Sequence, residues 1–251
     1  MIQHLYILSG ASRGMGLAMA QQLLSPNNFV LGLSRHPNER LNLLAVQLGC
    51  PLEQCSLDLE KSVEAAEFLA QWLGQHLAAT FASATLINNA GVMPRITPVS
   101  ESDPTDLARA LRVGLEAPML LTAAFLKSTQ AWNIPLKVLN ISSGLGRRAM
   151  ASQAGYCAAK AGLDHFTCCL ALDEALKPHG ARVCSLAPGV IDTDMQEQLR
   201  EADESHFPDQ NSFINLKKKG QLTPPTEAAT RVLAYLARPD FGNDPIGDVR
   251  S

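Results

Sequence analysis

No stretch of this 251-residue chain approaches the ~18 consecutive apolar residues that a membrane-spanning helix needs. Neither sign of charge dominates: the formal net charge is −3, which leaves no broad basic surface for nucleic acid or anionic lipid. Lys217-Lys218-Lys219 is the one cationic cluster, and a solvated face accounts for it. The six cysteines form no Cys-x-x-Cys pair, and the six histidines are scattered, so no metal-ligand spacing is present. Repeats, low-complexity tracts and a composition break that would mark a domain boundary are all lacking. The first residues enter a strand pattern without a basic leader or cleavage site, which points to a cytoplasmic protein.

What the chain has is 46% hydrophobic residues, enough for one α/β core, and a regular alternation of strand and helix patterns. The strand His4 to Ser9 runs into Gly10-Ala11-Ser12-Arg13-Gly14-Met15-Gly16 and then a helix to about Leu24, with an apolar stripe of Met15, Ala18, Met19 and Leu23. Gly10 permits a tight turn, Gly14 lets backbone approach a pyrophosphate, and Gly16 lets helix and strand pack closely. A glycine motif alone is a weak signal; one between a strand and an amphipathic helix is more specific.

A second strand, Asn28 to Leu33, ends at Ser34-Arg35. An acidic residue there would bind adenosine ribose hydroxyls and repel a 2′-phosphate, whereas Ser34 and Arg35, with Arg13 in the glycine loop, favour NADP(H) over NAD(H). Further elements are a helix from Asn38 to Leu48, a strand from Leu52 to Ser56, a helix from Ser62 to about Leu77 and a strand from Ala84 to Ile87. Asp58 and Leu59 follow the third strand, where Asp58 would accept from an adenine amine. After the fourth strand, Asn88-Asn89-Ala90-Gly91 combines small residues for a flat ligand with Asn side chains that bridge strands. A long helix from Asp103 to Gln130, broken near Gly114 and Pro118, leads to a fifth strand from Lys137 to Ile141.

Asn140-Ile141-Ser142-Ser143 places Ser143 at the carboxyl end of that strand, the end at which open α/β sheets bind ligands. Tyr156 and Lys160 then fall one turn apart on one face of a helix from Ala154 to Leu176. A tyrosine hydroxyl titrates near ~10, and an ammonium one turn away is expected to lower that value. A Tyr-x-x-x-Lys pair also arises by chance in many helices, so the pair matters through its company. A sixth strand, Arg182 to Leu186, ends in Pro188-Gly189-Val190, with Thr193 just beyond. Residues 194 to 222 are polar and mixed, a candidate lid; Thr226 to Ala237 is a last helix and Ile246 to Arg250 a final strand.

Together, Ser9-Gly10-x-x-x-Gly14-x-Gly16, Asn88-Asn89-Ala90-Gly91, Ser143, Tyr156-x-x-x-Lys160 and Pro188-Gly189 resemble the short-chain dehydrogenases/reductases over nearly the whole chain. Ala117-Pro118-Met119, Asp192-Thr193-Asp194-Met195-Gln196 and Leu216-Lys217 look most like the sepiapterin reductase and bacterial benzil reductase branch. The resemblance implies a single Rossmann-type domain, a doubly wound sheet of about seven mostly parallel strands with helices on both faces. It implies an NADPH-dependent carbonyl reductase in which Ser143 hydrogen-bonds the carbonyl oxygen and Tyr156 is the general acid. Lys160 would lower the tyrosine's pKa and hold the nicotinamide ribose, with Pro188, Gly189, Val190 and Thr193 on the carboxamide side. Gly10, Ser12, Arg13, Gly14, Met15, Gly16, Ser34, Arg35, Asp58, Leu59, Asn89, Ala90 and Gly91 complete the expected cofactor site. A homodimer or homotetramer is implied, with Leu107, Leu111, Leu115, Met119, Leu120 and Phe125 as a candidate face, a pattern that core burial fits equally well.

Two departures stand out. Gly114 occupies the place of a family asparagine in Val113-Gly114-Leu115, and Asp248 is only a candidate counterpart of the carboxylate that anchors pterin, so an aromatic or aliphatic ketone or dicarbonyl is the expected substrate. The first leaves open a second reading, a catalytically weak NADP(H)-binding sensor on the same fold. Operation as an alcohol dehydrogenase is a third.

Overall fold

The strand segments are apolar on both faces because both faces of the sheet are covered, as parallel sheets require. The structure, a computed structural model, describes residues 3–76 and 80–250. The strands are β1 (Gln3–Ser9), β2 (Asn28–Ser34), β3 (Leu52–Ser56), β4 (Phe81–Asn88), β5 (Leu136–Ile141), β6 (Arg182–Ala187) and β7 (Ile246–Asp248). They form one sheet in the order β3-β2-β1-β4-β5-β6-β7. Every neighbouring pair is parallel, a stricter arrangement than the mostly parallel sheet expected.

Side-chain alternation along the strands feeds two cores. On one face, Leu31, Leu33, Val138 and Val183 pack with Leu69, Trp72, Leu121 and Phe125. On the other, Val30, Leu139, Ile141 and Leu186 pack with Met19, Leu41, Val232 and Leu236. The first face carries α3 (Ser62–Gly74), α5 (Ala117–Thr129) and α6 (Ala154–Ala175), with α4 (Pro104–Leu111) packed on α6. The second carries α1 (Gly14–Leu23), α2 (Glu39–Leu48) and α9 (Pro225–Ala237). Phe125 is fully buried, so it belongs to the core and not to the association face suggested for it. The chain winds one way from β1 to β3 and the other way from β4 to β7, which places the switch point between β1 and β4.

Some element boundaries differ from expectation, among them β4, which begins at Phe81 and not Ala84, while the break expected in the middle helix near Gly114 is present. The helix after Ser62 ends at Gly74, and the end expected near Leu77 lies outside the described residues. The final strand is only Ile246–Asp248, because Asp248 accepts from the backbone N–H and guanidinium of Arg250 and closes a turn. The long middle helix divides as α4, a π turn (Arg112–Glu116) and α5, with the Ala117 N–H donating to the Arg112 carbonyl. π turns insert one residue into a helix and interrupt its usual hydrogen-bond ladder.

Gly114, at the centre of that turn, is buried against α6; a Cβ added there would stand 3.1 Å from the Cβ of Ala159. Residues 194–222 hold α7 (Asp194–Glu201) and α8 (Gln210–Lys218), packed on the body through Ile96, Leu199, Phe207 and Phe213. An ion pair of 2.5 Å between Asp192 and Lys217 and a parallel bridge from Ile191 to Thr223 close the base of this segment.

Candidate active site

The site begins with glycines. Gly10 has φ +72° and Gly14 has φ +56°, conformations that a side chain disfavours. A Cβ on Gly16 would lie 2.0 Å from the Gly10 carbonyl oxygen, so only glycine lets α1 start this close to the turn. A Cβ on Gly14 would meet only the Thr193 methyl at 3.9 Å, which leaves its outer side open to the cleft. The first turn of α1 has no side-chain cap and no acidic residue, so its backbone N–H groups and positive dipole end face an anion site. This cradle fits the pyrophosphate of a dinucleotide.

The neighbouring loops hold the cradle in place. Ser9 Oγ accepts from the backbone N–H groups of Asn89 and Ala90 at 3.0 and 3.1 Å. The Asn89 side chain donates to the carbonyls of Ser9 and Gly10. Beneath, Asn88 donates to Asn140 at 2.8 Å and to Thr122 at 3.1 Å, and Asn140 donates to Thr167 at 2.8 Å. The strand-bridging role expected of the asparagines is therefore met. Asn38, which the sequence had marked only as a helix start, caps α2 by accepting from the Leu41 N–H and also donates to the Ser12 carbonyl.

Tyr156 and Lys160 share one face of α6, and Lys160 Nζ lies 5.8 Å from the tyrosine ring centre. The ammonium donates to the Ile141 carbonyl at 2.8 Å, at the end of β5. Burial pushes the Lys160 pKa down to about 8, opposed by the charge of Asp164 one turn on. Asp164 in turn pairs with Arg147 at 3.1 Å and accepts from Ser185 at 2.6 Å. Arg147 also donates to the Gly247 carbonyl at 2.9 Å and so joins the β5–α6 loop to β7. Gly146 is small for this reason: a Cβ there would stand 3.0 Å from Asp164 and from the backbone of Lys160.

Ser143 Oγ accepts from the Leu145 N–H at 3.1 Å, and its hydroxyl beside Tyr156 favours the phenolate. Burial nevertheless dominates and raises the tyrosine pKa above its ordinary value. This corrects the expectation of a lowered value: the spacing to Lys160 is as expected, but desolvation of the phenolate outweighs it.

All the expected cofactor residues, from Gly10 to Thr193, line one cleft of about 870 Å³ together with Ser143, Tyr156 and Lys160. The arginines are arranged differently from the expected pair around one phosphate. Arg13 is bound to Asp194 at 2.6 Å, and Arg35 is exposed at the cleft wall. Asp58 accepts from the Glu60 N–H at 3.0 Å, and Ser34 donates to the His36 carbonyl. Asp248 is engaged by Arg250 at 2.6 Å. Arg148, Leu199 and Phe213 also line the cleft. They carry no motif, and only the fold brings them there.

A short chain dehydrogenase family model matches residues 5–204. Benzil reductase ((S)-benzoin forming) of Bacillus cereus is 34% identical over 243 residues, covering 97% of this chain and 96% of that protein. Sepiapterin reductase of Bos taurus is 30% identical over 249 residues, covering 94% and 91%. Among solved structures, a metagenomic short-chain oxidoreductase in complex with NADP superposes with a TM-score of 0.72 at 26% identity, covering 98% of this chain and 94% of that one. On the match across residues 5–204 and the near full-length relatives, the chain belongs to the short-chain dehydrogenase/reductase family of oxidoreductases.

Proposed function

We propose that the protein reduces a ketone or dicarbonyl with NADPH, and that Tyr156 is the general acid. The observation that carries this reading is the convergence of Ser143, Tyr156 and Lys160 in the cleft that also holds the glycine cradle. The nicotinamide, when bound, supplies the hydride to the carbonyl carbon. Ser143 donates a hydrogen bond to the carbonyl oxygen and stabilises the charge that develops there. Tyr156 gives its proton to that oxygen, which balances the reaction as ketone, reduced cofactor and proton going to alcohol and oxidised cofactor. A buried tyrosine with a raised pKa holds its proton at neutral pH, which suits reduction.

Lys160, fixed by the Ile141 carbonyl, supplies positive charge beside the phenolate and holds the ribose. Gly10, Gly14 and the first turn of α1 hold the pyrophosphate; Pro188, Gly189, Val190 and Thr193 face the carboxamide. Arg35 at the cleft wall, and Arg13 once it leaves Asp194, favour the 2′-phosphate, in line with the choice of NADP(H). The segment 194–222 acts as a lid over the substrate. Exposed Leu172 on α6 and Leu176 just past its end, with Leu111 and Met119 on the middle helix, support a homodimer or homotetramer through those helices.

Likeness to benzil reductase supports a vicinal diketone as substrate. The test is a spectrophotometric assay of benzil, phenylpropanedione, sepiapterin and a simple aryl ketone with NADPH and NADH. Oxidation of NADPH by a diketone is the expected result. Tight NADPH binding without turnover of any of the four favours the sensor reading.

A further inference from the structure

Gln196 sits in the first turns of α7 and lines the cleft, with only 9% of its surface exposed. Its side-chain oxygen Oε1 is buried and has no hydrogen-bond partner among the described residues. A buried polar atom left unpaired costs stability, and of the buried unpaired side-chain oxygens among the described residues that of Gln196 belongs to a residue lining the cleft beside Leu199 and Phe213, where a bound molecule can complete it.

The surroundings indicate what completes it. One turn on from Gln196 on the same helix, Leu199 lines the cleft, as does Phe213 of α8 in the same apolar cluster. Met195 brings α7 down toward the catalytic lysine: a Cβ built on Gly91 would lie 3.8 Å from Met195 Cε and 3.7 Å from Lys160 Nζ. Gln196 is thus a neutral polar group in a largely apolar wall at the substrate end of the cleft. It carries no charge to attract a carboxylate or phosphate. It offers one acceptor and two donors on a planar group that can turn over.

Building on the carbonyl reductase reading, we propose that Gln196 is the specificity-determining residue for a ketone bearing a second oxygen on the adjacent carbon. A second carbonyl accepts from Nε2; a hydroxyl there donates to Oε1. In the hydroxyketone formed from a vicinal diketone the second oxygen is still a carbonyl and keeps its bond to Nε2, whereas a hydroxyketone turned to present its own ketone as substrate offers its hydroxyl to Oε1. The apolar walls take the aryl or alkyl substituents. A ketone without the second oxygen leaves the carboxamide unpaired, and a site with an unsatisfied buried polar group discriminates strongly against it.

The experiment compares phenylpropanedione with propiophenone, which has the same skeleton and lacks the second carbonyl. Both are titrated by calorimetry into the NADPH-free and the NADP-loaded protein, and both are assayed with NADPH. The proteins are wild type, Gln196→Leu and Gln196→Glu. Wild type is expected to bind the diketone at least tenfold more tightly than the monoketone, and Gln196→Leu to lose that preference while propiophenone binding stays within about twofold. Its melting temperature should hold or rise, because the unpaired group is gone. Gln196→Glu keeps the acceptor and loses the donors, so it should weaken the diketone and retain a hydroxyketone.

Equal affinity of wild type for the two ketones overturns the assignment, as does an equal loss on both in Gln196→Leu. Diketone preference in binding without any turnover would sink the reductase reading and leave the role of Gln196 standing.

Discussion

Arg13 of the glycine loop reaches across the cleft to Asp194, the first residue of α7, with 2.6 Å between Nη1 and Oδ2. The two side chains are 69% and 70% exposed, and exposed pairs of this kind contribute little stability. A dianionic 2′-phosphate is a stronger partner for the guanidinium than one exposed carboxylate. On the proposed NADP(H) reading, Asp194 competes with the cofactor's phosphate for Arg13. The Asp194→Asn variant should bind NADPH up to about fivefold more tightly, with NADH affinity unchanged, in a fluorescence titration. An equal gain for both cofactors would show that Arg13 does not read the phosphate.

Gly114 tests how the middle helix meets α6. Glycine within a helix is usually worse than alanine by about 1 kcal/mol, yet here the space for a Cβ is limited by Ala159 at 3.1 Å. Restoring the asparagine of the family pattern forces a larger group into this contact, and overpacking of that kind costs about 1–3 kcal/mol. Gly114→Asn should lower the melting temperature by several degrees and reduce turnover. The double variant with Ala159→Gly should recover much of the stability. A Gly114→Asn protein as stable and as fast as wild type would mean that α6 yields freely at this point.

Lys160 gives a pH dependence with a definite sign. Its pKa is near 8 in the folded protein, against 10.5 for an ordinary lysine. Between those values the unfolded chain binds more protons than the folded one, so the stability contribution of this group rises with pH through that window. Below pH 8 the buried ammonium weighs against folding. Lys160→Met should therefore melt higher than wild type at pH 7, by a margin that narrows toward pH 10. In the assay, kcat/KM for NADPH should be flat below about pH 8 and fall above it as the ammonium is lost. A constant margin in melting temperature between pH 7 and 10 would contradict the assigned titration.

Asn38 links the adenosine side of the cleft to the glycine loop through the Ser12 carbonyl and caps α2. Asn38→Ala removes both contacts. A loss of about 1 kcal/mol in stability is expected from the cap alone. A weaker affinity for NADPH measured at a temperature well below melting would separate the loop contact from the cap.

The parts of the site that could be read from sequence are those with a local reason. Gly10, Gly14 and Gly16 are spaced for one turn, and Tyr156 and Lys160 for one helix face, so their roles follow from a few consecutive residues. The Arg13–Asp194 pair spans 181 positions and the Asn38–Ser12 contact 26, and no periodicity connects such residues. Tyr156 shows a second kind of limit. Its spacing from Lys160 reveals a nearby charge, while its pKa is governed by burial, which depends on the whole fold. Gln196 was visible only as one letter in a motif; its unpaired oxygen becomes apparent once α7 lies over the cleft. Phe125 shows a third limit: an apolar residue on a helix reads the same whether it faces a partner or the sheet, and the fold decides for the sheet.

The most direct test of the central claim is reduction of phenylpropanedione by wild type and Tyr156→Phe with saturating NADPH, alongside NADPH binding to both. Wild type should consume one NADPH for each hydroxyketone formed. Tyr156→Phe should still bind the cofactor and lose at least a hundredfold in turnover, because its proton donor is gone. Undiminished turnover in Tyr156→Phe, or no turnover by a wild-type protein that binds NADPH tightly, would contradict the proposal.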